Sequence, residues 1–321
     1  MAPALTGLAQ EVIAPDEAAV TAEFIAFLKA ASLRRDPTGP IRRFNQGRAA
    51  GCVDAEFTVP PGLPDALRVG LFATPAVYRG RIRFANASSD SDRDKDVRGM
   101  SIALFDVPGD NLTSGSSRQD FVLNSHPVMP APDAREFMEL LKANESGLKR
   151  AWYFATHFNA ARVALASRQN HSCHLDIPYW STTPYAFGDG KVVKYMTRPT
   201  SAQVSTLPAR RTDSYLRDAL RAHLAAAEAS FDLMVQFFVD DARTPVENAM
   251  VEWTKEVSPW HTVARIRIPT QSIDDPARTS RCEQMAFNPW HALAEHRPLG
   301  GMNRARREIY RALSEFRRSA L

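Results

Sequence analysis

"FNPWHALAEHRPLGGMNRARREIY", residues 287–310, ends in a run that continues as "RALSEFRR" to residue 318 and reads as one helix. On that helix Arg306 and Tyr310 stand four residues apart, so they share a face one turn from each other. A tyrosine beside a fixed positive charge loses its proton more readily, and a phenolate is a good ligand for ferric iron. A tyrosine on an amphipathic helix is, by itself, most often a packing residue. The rest of the chain decides between the two.

Composition narrows the class. The chain has 321 residues, 44% of them apolar, which is enough for a sizeable core. Charged residues make up 24% and the net charge of +4 is small and evenly spread, so it does not point to nucleic acid. No run approaches the ~18 apolar residues that a membrane-crossing helix needs. The N-terminal "MAPALTGLAQEVIAPDEAAV" lacks the basic start and apolar centre of a signal peptide. Cys52, Cys173 and Cys282 are odd in number and far apart, so no disulfide framework is expected and a reducing, cytoplasmic setting fits.

Residues 17–33 are helical, with Val20, Phe24, Phe27 and Leu28 on one stripe. Strand-like runs follow at 52–59, 80–88, 100–107 and 120–125. The middle, from 132 to 168, is helical; 179–199 looks like a hairpin. A helix over 212–230, opened by Thr212 or Asp213, precedes strands at 231–239 and 261–269. Two groups of strands with helices around them predict an α+β fold, an antiparallel sheet or barrel with helical cover.

Three motifs suggest metals and carry little weight. Asp90, Asp92, Asp94 and Asp96 alternate like the start of a calcium loop, but Lys95 and Ser101 stand where such a loop needs Gly and Glu, so a solvated charged loop is expected. His171, Cys173 and His174 lack a second ligand pair at zinc spacing and read as a partly buried strand. His291 and His296, five apart, would not share a helix face.

The stretch at 287–310 resembles the end of the core in catalase-related haem proteins, above all the short bacterial ones. "RFANASSDSDRDKDVRGMSIALFDV", "QDFVLNSHPVMPAPDAREF" and "YWSTTPYAFGDGKVVKY" are similar to further segments of that family in the same order, so the resemblance runs from about residue 36 to about 316. It implies a single catalase-like haem domain over 1–321, an N-terminal helical segment (1–35) leading into a haem-binding core (36–318), with an antiparallel β-barrel at its centre. It implies haem b, iron protoporphyrin IX, ligated axially by Tyr310 with Arg306 holding the phenolate. Arg43 and Arg98 would pair with haem propionates, since guanidinium forks suit carboxylates. Phe137, ten residues after Pro127, would stack on the haem. Asn124 would be the distal amide.

One position departs from the family. Its distal histidine belongs to a His-x-Lys-x-x-Gly segment before a strand. Here "RFNQGRAAGCVDAEFTV" matches it, and counting back from Gly51 puts Gln46 at the histidine position, with Arg48 on the basic one and Arg43 on the propionate arginine. A one-residue slip would put Asn45 there instead, and Asn45 is counted among the cofactor-binding residues. Peroxide heterolysis benefits from a base that moves a proton between the two oxygens, typically ~10²–10⁴-fold. An amide only donates and accepts hydrogen bonds. The resemblance and this departure together imply a haem-dependent oxidoreductase acting on hydrogen peroxide or organic hydroperoxides, peroxidase-like and weak as a true catalase. The alternatives are a hydroperoxide isomerase or dehydratase, or another specialised biosynthetic enzyme on the same scaffold, and a haem-binding protein without turnover. The partner is a small-molecule peroxide; relatives commonly associate, which leaves room for a homo-oligomer.

Overall fold

The computed structural model describes residues 9–202 and 205–319. The first eight residues, part of the expected helical segment and of the stretch lacking a signal peptide, lie outside them. The chain runs α1 (Glu17–Arg35), β1 (Arg48–Val59), β2 (Ala76–Asn86), β3 (Arg98–Leu104), β4 (Gln119–Asn124), α2 (Ala134–Ala143), α3 (Gly147–Thr156), α4 (Phe158–Ser167), β5 (Tyr179–Trp180), β6 (Tyr185–Ala186), β7 (Val192–Pro199), α5 (Tyr215–Ala226), β8 (Ala229–Phe237), β9 (Trp260–Ile268), α6 (Pro276–Gln284) and α7 (Gly301–Ser319).

The strands lie in the order β5-β4-β3-β2-β1-β9-β8-β7-β6, and β5 also pairs with β7. That extra pairing closes eight strands into an antiparallel barrel, with β6 added at one rim beside β7. Closure leaves no long unpaired edge. Strand periodicity of two then sorts every side chain to the lumen or to the outer wall. On β3, Met100, Ile102 and Leu104 enter the lumen, packed with Phe57, Ile82, Phe84, Phe121, Tyr195 and Phe231 in the main core. Gly99, Ser101 and Ala103 face out.

Helix α7 lies against α1 and α2 through a second apolar cluster of Val20, Phe24, Leu28, Met138, Ala305 and Ile309. Helix α1 is pinned at its end. Arg35 donates to the carbonyls of Arg42, Arg43 and Phe44, and Asp36 accepts from Arg42, which fixes the loop leading into β1.

Several expectations need correction. The helical run through 168 is broken at His157, whose φ of −123° and ψ of 66° end α3 before α4 begins. Helix α5 is shorter than 212–230, and its first amides are capped from afar: Asp92 Oδ2 accepts from Leu216 N at 2.9 Å. The acidic loop is only half solvated. Asp92 and Asp96 are buried acceptors for Asn86, Ser88 and Ser89. His171–Cys173–His174 is not a strand: Cys173 and His174 are wholly buried at a single helical turn, with His174 Nδ1 3.0 Å from Tyr179 Oη. Among the described residues no group of acidic, histidine or cysteine side chains could hold a metal ion. Cys52 and Cys282 are not free thiols but form a disulfide across 230 residues, tying β1 to α6. The cysteines therefore give no support to a reducing compartment. No helix among the described residues is long and apolar enough to cross a membrane.

Candidate active site on the outer wall of the barrel

Gln46 sits at the mouth of β1 with φ of 56°, a left-handed conformation that costs a non-glycine residue about 1–2 kcal/mol. Its neighbours hold it there. Its amide donates to Ala87 O and to Asn45 Oδ1, both at 2.9 Å, and its carbonyl accepts from Arg83 Nη1 at 2.8 Å. The side chain lies flat on Gly99: a Cβ at that position would come within 2.3 Å of Gln46 Nε2. From this bed Nε2 donates to Asn124 Oδ1 at 3.4 Å, and Oε1 accepts from Ser101 Oγ at 3.3 Å. Both contacts are long, so the amide is oriented but lightly held. Gln46, Asn124 and Ser101 thus form one polar cluster from three separate segments. Asn45 is exposed and serves Gln46 through its side-chain oxygen.

The apolar wall beside this cluster comes from the helices. Phe44, two residues before Gln46, packs in the same cluster as Phe137 and Tyr310. Phe137 meets Phe24 edge-on with ring centroids 6.1 Å apart and also packs beside Met129 and Met302. Phe44, Phe137, Tyr310 and Asn124 are all only half-buried.

Arg306 is buried, and its partners are neutral. Its Nη1 donates to Thr183 Oγ1 at 3.1 Å and Asn303 Oδ1 at 3.3 Å, and Nη2 lies 4.0 Å from Met129 Sδ. Asn303 in turn donates to the carbonyls of Pro184 and Leu299. Among the described residues Arg306 has no carboxylate partner, directly or one bond further. The Tyr310 hydroxyl, one turn on, makes no hydrogen bond among them either. A buried cation without a counter-ion is costly, and its charge favours an anion nearby.

The two arginines expected at haem propionates are placed differently. Arg43 faces the outer wall, where it is paired with Glu283 and donates to the carbonyls of Cys282, Glu283 and Met285 at the end of α6. Arg83 Nε donates to the same carboxylate at 2.8 Å, and Arg83 Nη2 is buried without a partner. Arg317, seven residues past Tyr310 and so on nearly the same face of α7, adds a third positive charge. Burial, then repulsion from Arg83, pushes Arg43 down to about 9, with Arg317 adding to it against the pull of Glu283. Three arginines share one carboxylate, and the cluster carries surplus positive charge. Arg98 has the same parity as Met100 and Ile102, so it points into the lumen, away from Gln46 and Ser101. There it is fully buried and donates to Asn86 Oδ1 at 2.5 Å and Asp94 O at 2.8 Å. Asn86 passes the charge on to buried Asp92 through a 2.8 Å bond.

Sequence reading missed Arg83, Ser101, Glu283 and Arg317. Ser101 and Arg83 were accessible through parity, since both alternate with lumen residues. Glu283 was not, because α6 is polar throughout, although Asp275 and Pro276 form an ordinary helix start.

A closed antiparallel barrel with this helical cover has known counterparts. Three solved structures superpose over nearly the whole chain at a TM-score of 0.70: a fungal catalase, 15% identical, covering 97% of this chain and 65% of its own; a bacterial catalase, 15% identical, covering 98% and 63%; and catalase A from Saccharomyces cerevisiae, 13% identical, covering 99% and 67%. The chain has the catalase fold. It is also 22% identical over 274 residues to the allene oxide synthase-lipoxygenase protein of Plexaura homomalla, which accounts for 77% of this chain and 24% of that protein. No protein-family model matches the sequence. The chain thus spans about two thirds of the catalases it superposes on and about a quarter of the coral protein.

The residues of this catalase-fold wall suit a planar, carboxylate-bearing iron porphyrin. They offer an unpartnered phenol for the metal, aromatic faces for the ring, and a surplus of positive charge for acidic substituents.

Proposed function

We propose that the chain is a haem-dependent oxidoreductase acting on hydrogen peroxide or organic hydroperoxides. The observation that carries this reading is Arg306, which among the described residues is buried with neutral partners only, one turn before a Tyr310 hydroxyl that makes no hydrogen bond among them. Haem b, held without a covalent link, supplies the redox chemistry of the peroxide bond. Tyr310 would hold its iron through the phenolate oxygen, and Arg306 would balance the phenolate charge. Phe137 and Phe44 pack on the ring. Arg43, joined by Arg83 and Arg317, takes the propionates; Arg98, turned into the lumen, belongs to the barrel.

Gln46 and Asn124 would meet the substrate. Their amides donate to a peroxide oxygen and accept from its hydroxyl, and Ser101 keeps the Gln46 amide facing one way. Neither amide carries a proton from one oxygen to the other. His126, two residues past Asn124, is pushed down by burial and makes no hydrogen bond to either amide among the described residues. This arrangement favours reactions that need orientation without a proton relay. A second reading follows from it: rearrangement or dehydration of an organic hydroperoxide, and the Plexaura homomalla relative, named an allene oxide synthase-lipoxygenase protein, directs attention to such specialised chemistry.

The test is an absorbance spectrum of the purified chain, followed by turnover of hydrogen peroxide and of alkyl and fatty hydroperoxides with product analysis. A ferric tyrosinate spectrum that Tyr310→Phe abolishes, with haem content down at least about tenfold, is the expected result. Unchanged haem content in Tyr310→Phe overturns the ligand assignment. Turnover with reductant consumption supports the peroxidase reading; isomerised or dehydrated product without it supports the second.

A further inference from the structure

Helices α3 and α4 carry apolar side chains that the fold leaves outside. Leu148, Trp152, Phe158 and Leu165 are 86%, 74%, 77% and 77% exposed. Leu148 and Trp152 are four apart, and Phe158 and Leu165 seven apart, so each pair shares one helical face. The inner faces are already satisfied. Tyr153 and Ala160 pack with Leu140 and Ala143 of α2, and Val163 is buried. His157 alone separates the two helices. A soluble surface seldom concentrates large apolar side chains in this way without a use for them.

The charges carried by the two helices themselves are of one sign, and the nearest carboxylates, such as Glu136 beside His157, belong to neighbouring segments. From Gly147 to Arg168 there is no Asp or Glu, while Lys149, Arg150, Arg162 and Arg168 are all exposed. Arg162 stands between Phe158 and Leu165 on the same face. Among the described residues none of these four cations forms an ion pair, although surface arginines elsewhere, such as Arg217, Arg221 and Arg267, are paired with carboxylates. Exposed Trp, Phe and Leu among unpaired Lys and Arg is the pattern of a helix lying in the plane of a bilayer interface. A second copy of the chain is the competing occupant. A two-fold dimer would press the patch against itself and face four cations with four more. An anionic lipid surface offsets the same charges.

We propose that α3 and α4 dock this protein on the surface of anionic bilayers, with Trp152 and Phe158 at the boundary between headgroups and acyl chains and the four cations among the headgroups. The proposal does not depend on haem. Flotation of the full chain with vesicles of phosphatidylcholine alone, and with phosphatidylcholine mixed with phosphatidylglycerol, tests it. Binding should be at least about tenfold tighter to the anionic vesicles and weaken with added salt. Each surface cation contributes about fivefold, so Lys149→Gln with Arg150→Gln should weaken binding about 25-fold. Trp152→Ser with Phe158→Ser should remove most of the remainder at an unchanged melting temperature, because both side chains are exposed. Equal binding to both vesicle types, or variants that bind as tightly as the parent, overturns the proposal. So does concentration-dependent self-association in sedimentation that the Trp152→Ser, Phe158→Ser variant dissolves, since the face would then belong to a second copy.

Discussion

The lumen of the barrel, the outer wall of β2 and helix α7 all bury arginines, and their surroundings compensate the charge to different degrees. In the lumen, Arg98 is bonded to Asn86 and to loop carbonyls with its Nε left unpaired among the described residues, and the buried carboxylate of Asp92 lies one bond further, on Asn86. On α7 Arg306 finds, among the described residues, only a hydroxyl, an amide and a thioether, and on the outer wall Arg43, Arg83 and Arg317 share Glu283. Uncompensated charge on Arg306 beside half-buried aromatic rings is what the proposed haem site rests on.

The sharpest way to break this contrast is to change the chemistry of the outer wall alone. Gln46→His installs the base that the polar cluster lacks. Turnover of hydrogen peroxide at matched haem content should rise by up to ~10²–10⁴. The left-handed backbone at Gln46 is held by its own amide and carbonyl bonds, so it survives the change. A parent protein that already works at a true catalase rate would remove the premise.

Exchanging the two arginines for methionine comes next. Arg98→Met should cost about 3 kcal/mol in urea unfolding, because Asn86 and a loop carbonyl lose charged donors inside a closed lumen. Haem bound per folded molecule should not change. Arg306→Met should show the reverse: stability within about 1 kcal/mol of the parent, since an unpaired buried charge is gone, and haem retention clearly lowered. Two variants with the same profile would erase the distinction between lumen and wall.

A pH experiment separates the regions more gently. Burial tends to raise Glu283, but Arg83 and Arg43 outweigh it and hold the carboxyl below its ordinary value. A lowered carboxyl stabilises the fold above that ordinary value, and the contribution disappears as pH falls through the folded one. Amide exchange in α6 should therefore accelerate below about pH 4.5 before the lumen strands respond. In Glu283→Gln that acid-dependent step should be absent; an unaltered pH profile in the variant would assign it to another group.

Much of the fold was legible, for reasons visible in particular residues. The strands showed through because lumen and wall alternate, as in Gly99-Met100-Ser101-Ile102, and the apolar stripe of α1 through Phe24 and Leu28 gave its helix directly. The same alternation predicts that Arg98 enters the lumen, yet a familiar Arg-Gly motif suggested a carboxylate partner. Residues that act across long distances were not legible. Asp92 capping α5, the Cys52–Cys282 bridge, and Glu283 between Arg43 and Arg83 each join segments that only the closed barrel brings together. In the candidate site, Gln46 and Asn124 were placed by their motifs, whereas Ser101 and Arg317 needed the third dimension.

The smallest effect is expected at Gly99, where lumen and wall are one residue apart. Its missing side chain is the floor on which the Gln46 amide rests, and a methyl there would lie 2.3–2.7 Å from all three atoms of that amide. The amide ends a flexible side chain, so in Gly99→Ala it swings away rather than forcing β3 apart. The bonds it gives up, 3.4 Å to Asn124 and 3.3 Å from Ser101, are long and weak. Stability should therefore fall by no more than about 1 kcal/mol, since overpacking is relieved by a rotamer change. Haem content should hold, because neither Tyr310 nor Arg306 touches this floor. What should change is orientation: the product distribution from an organic hydroperoxide should broaden as the amide loses its fixed direction. Restoring the direction with a smaller amide, in Gly99→Ala with Gln46→Asn, should narrow it again. An unchanged distribution in Gly99→Ala would mean that the Gln46 amide does not face the reacting oxygen, and the polar cluster on the outer wall would then be a structural cap on β1.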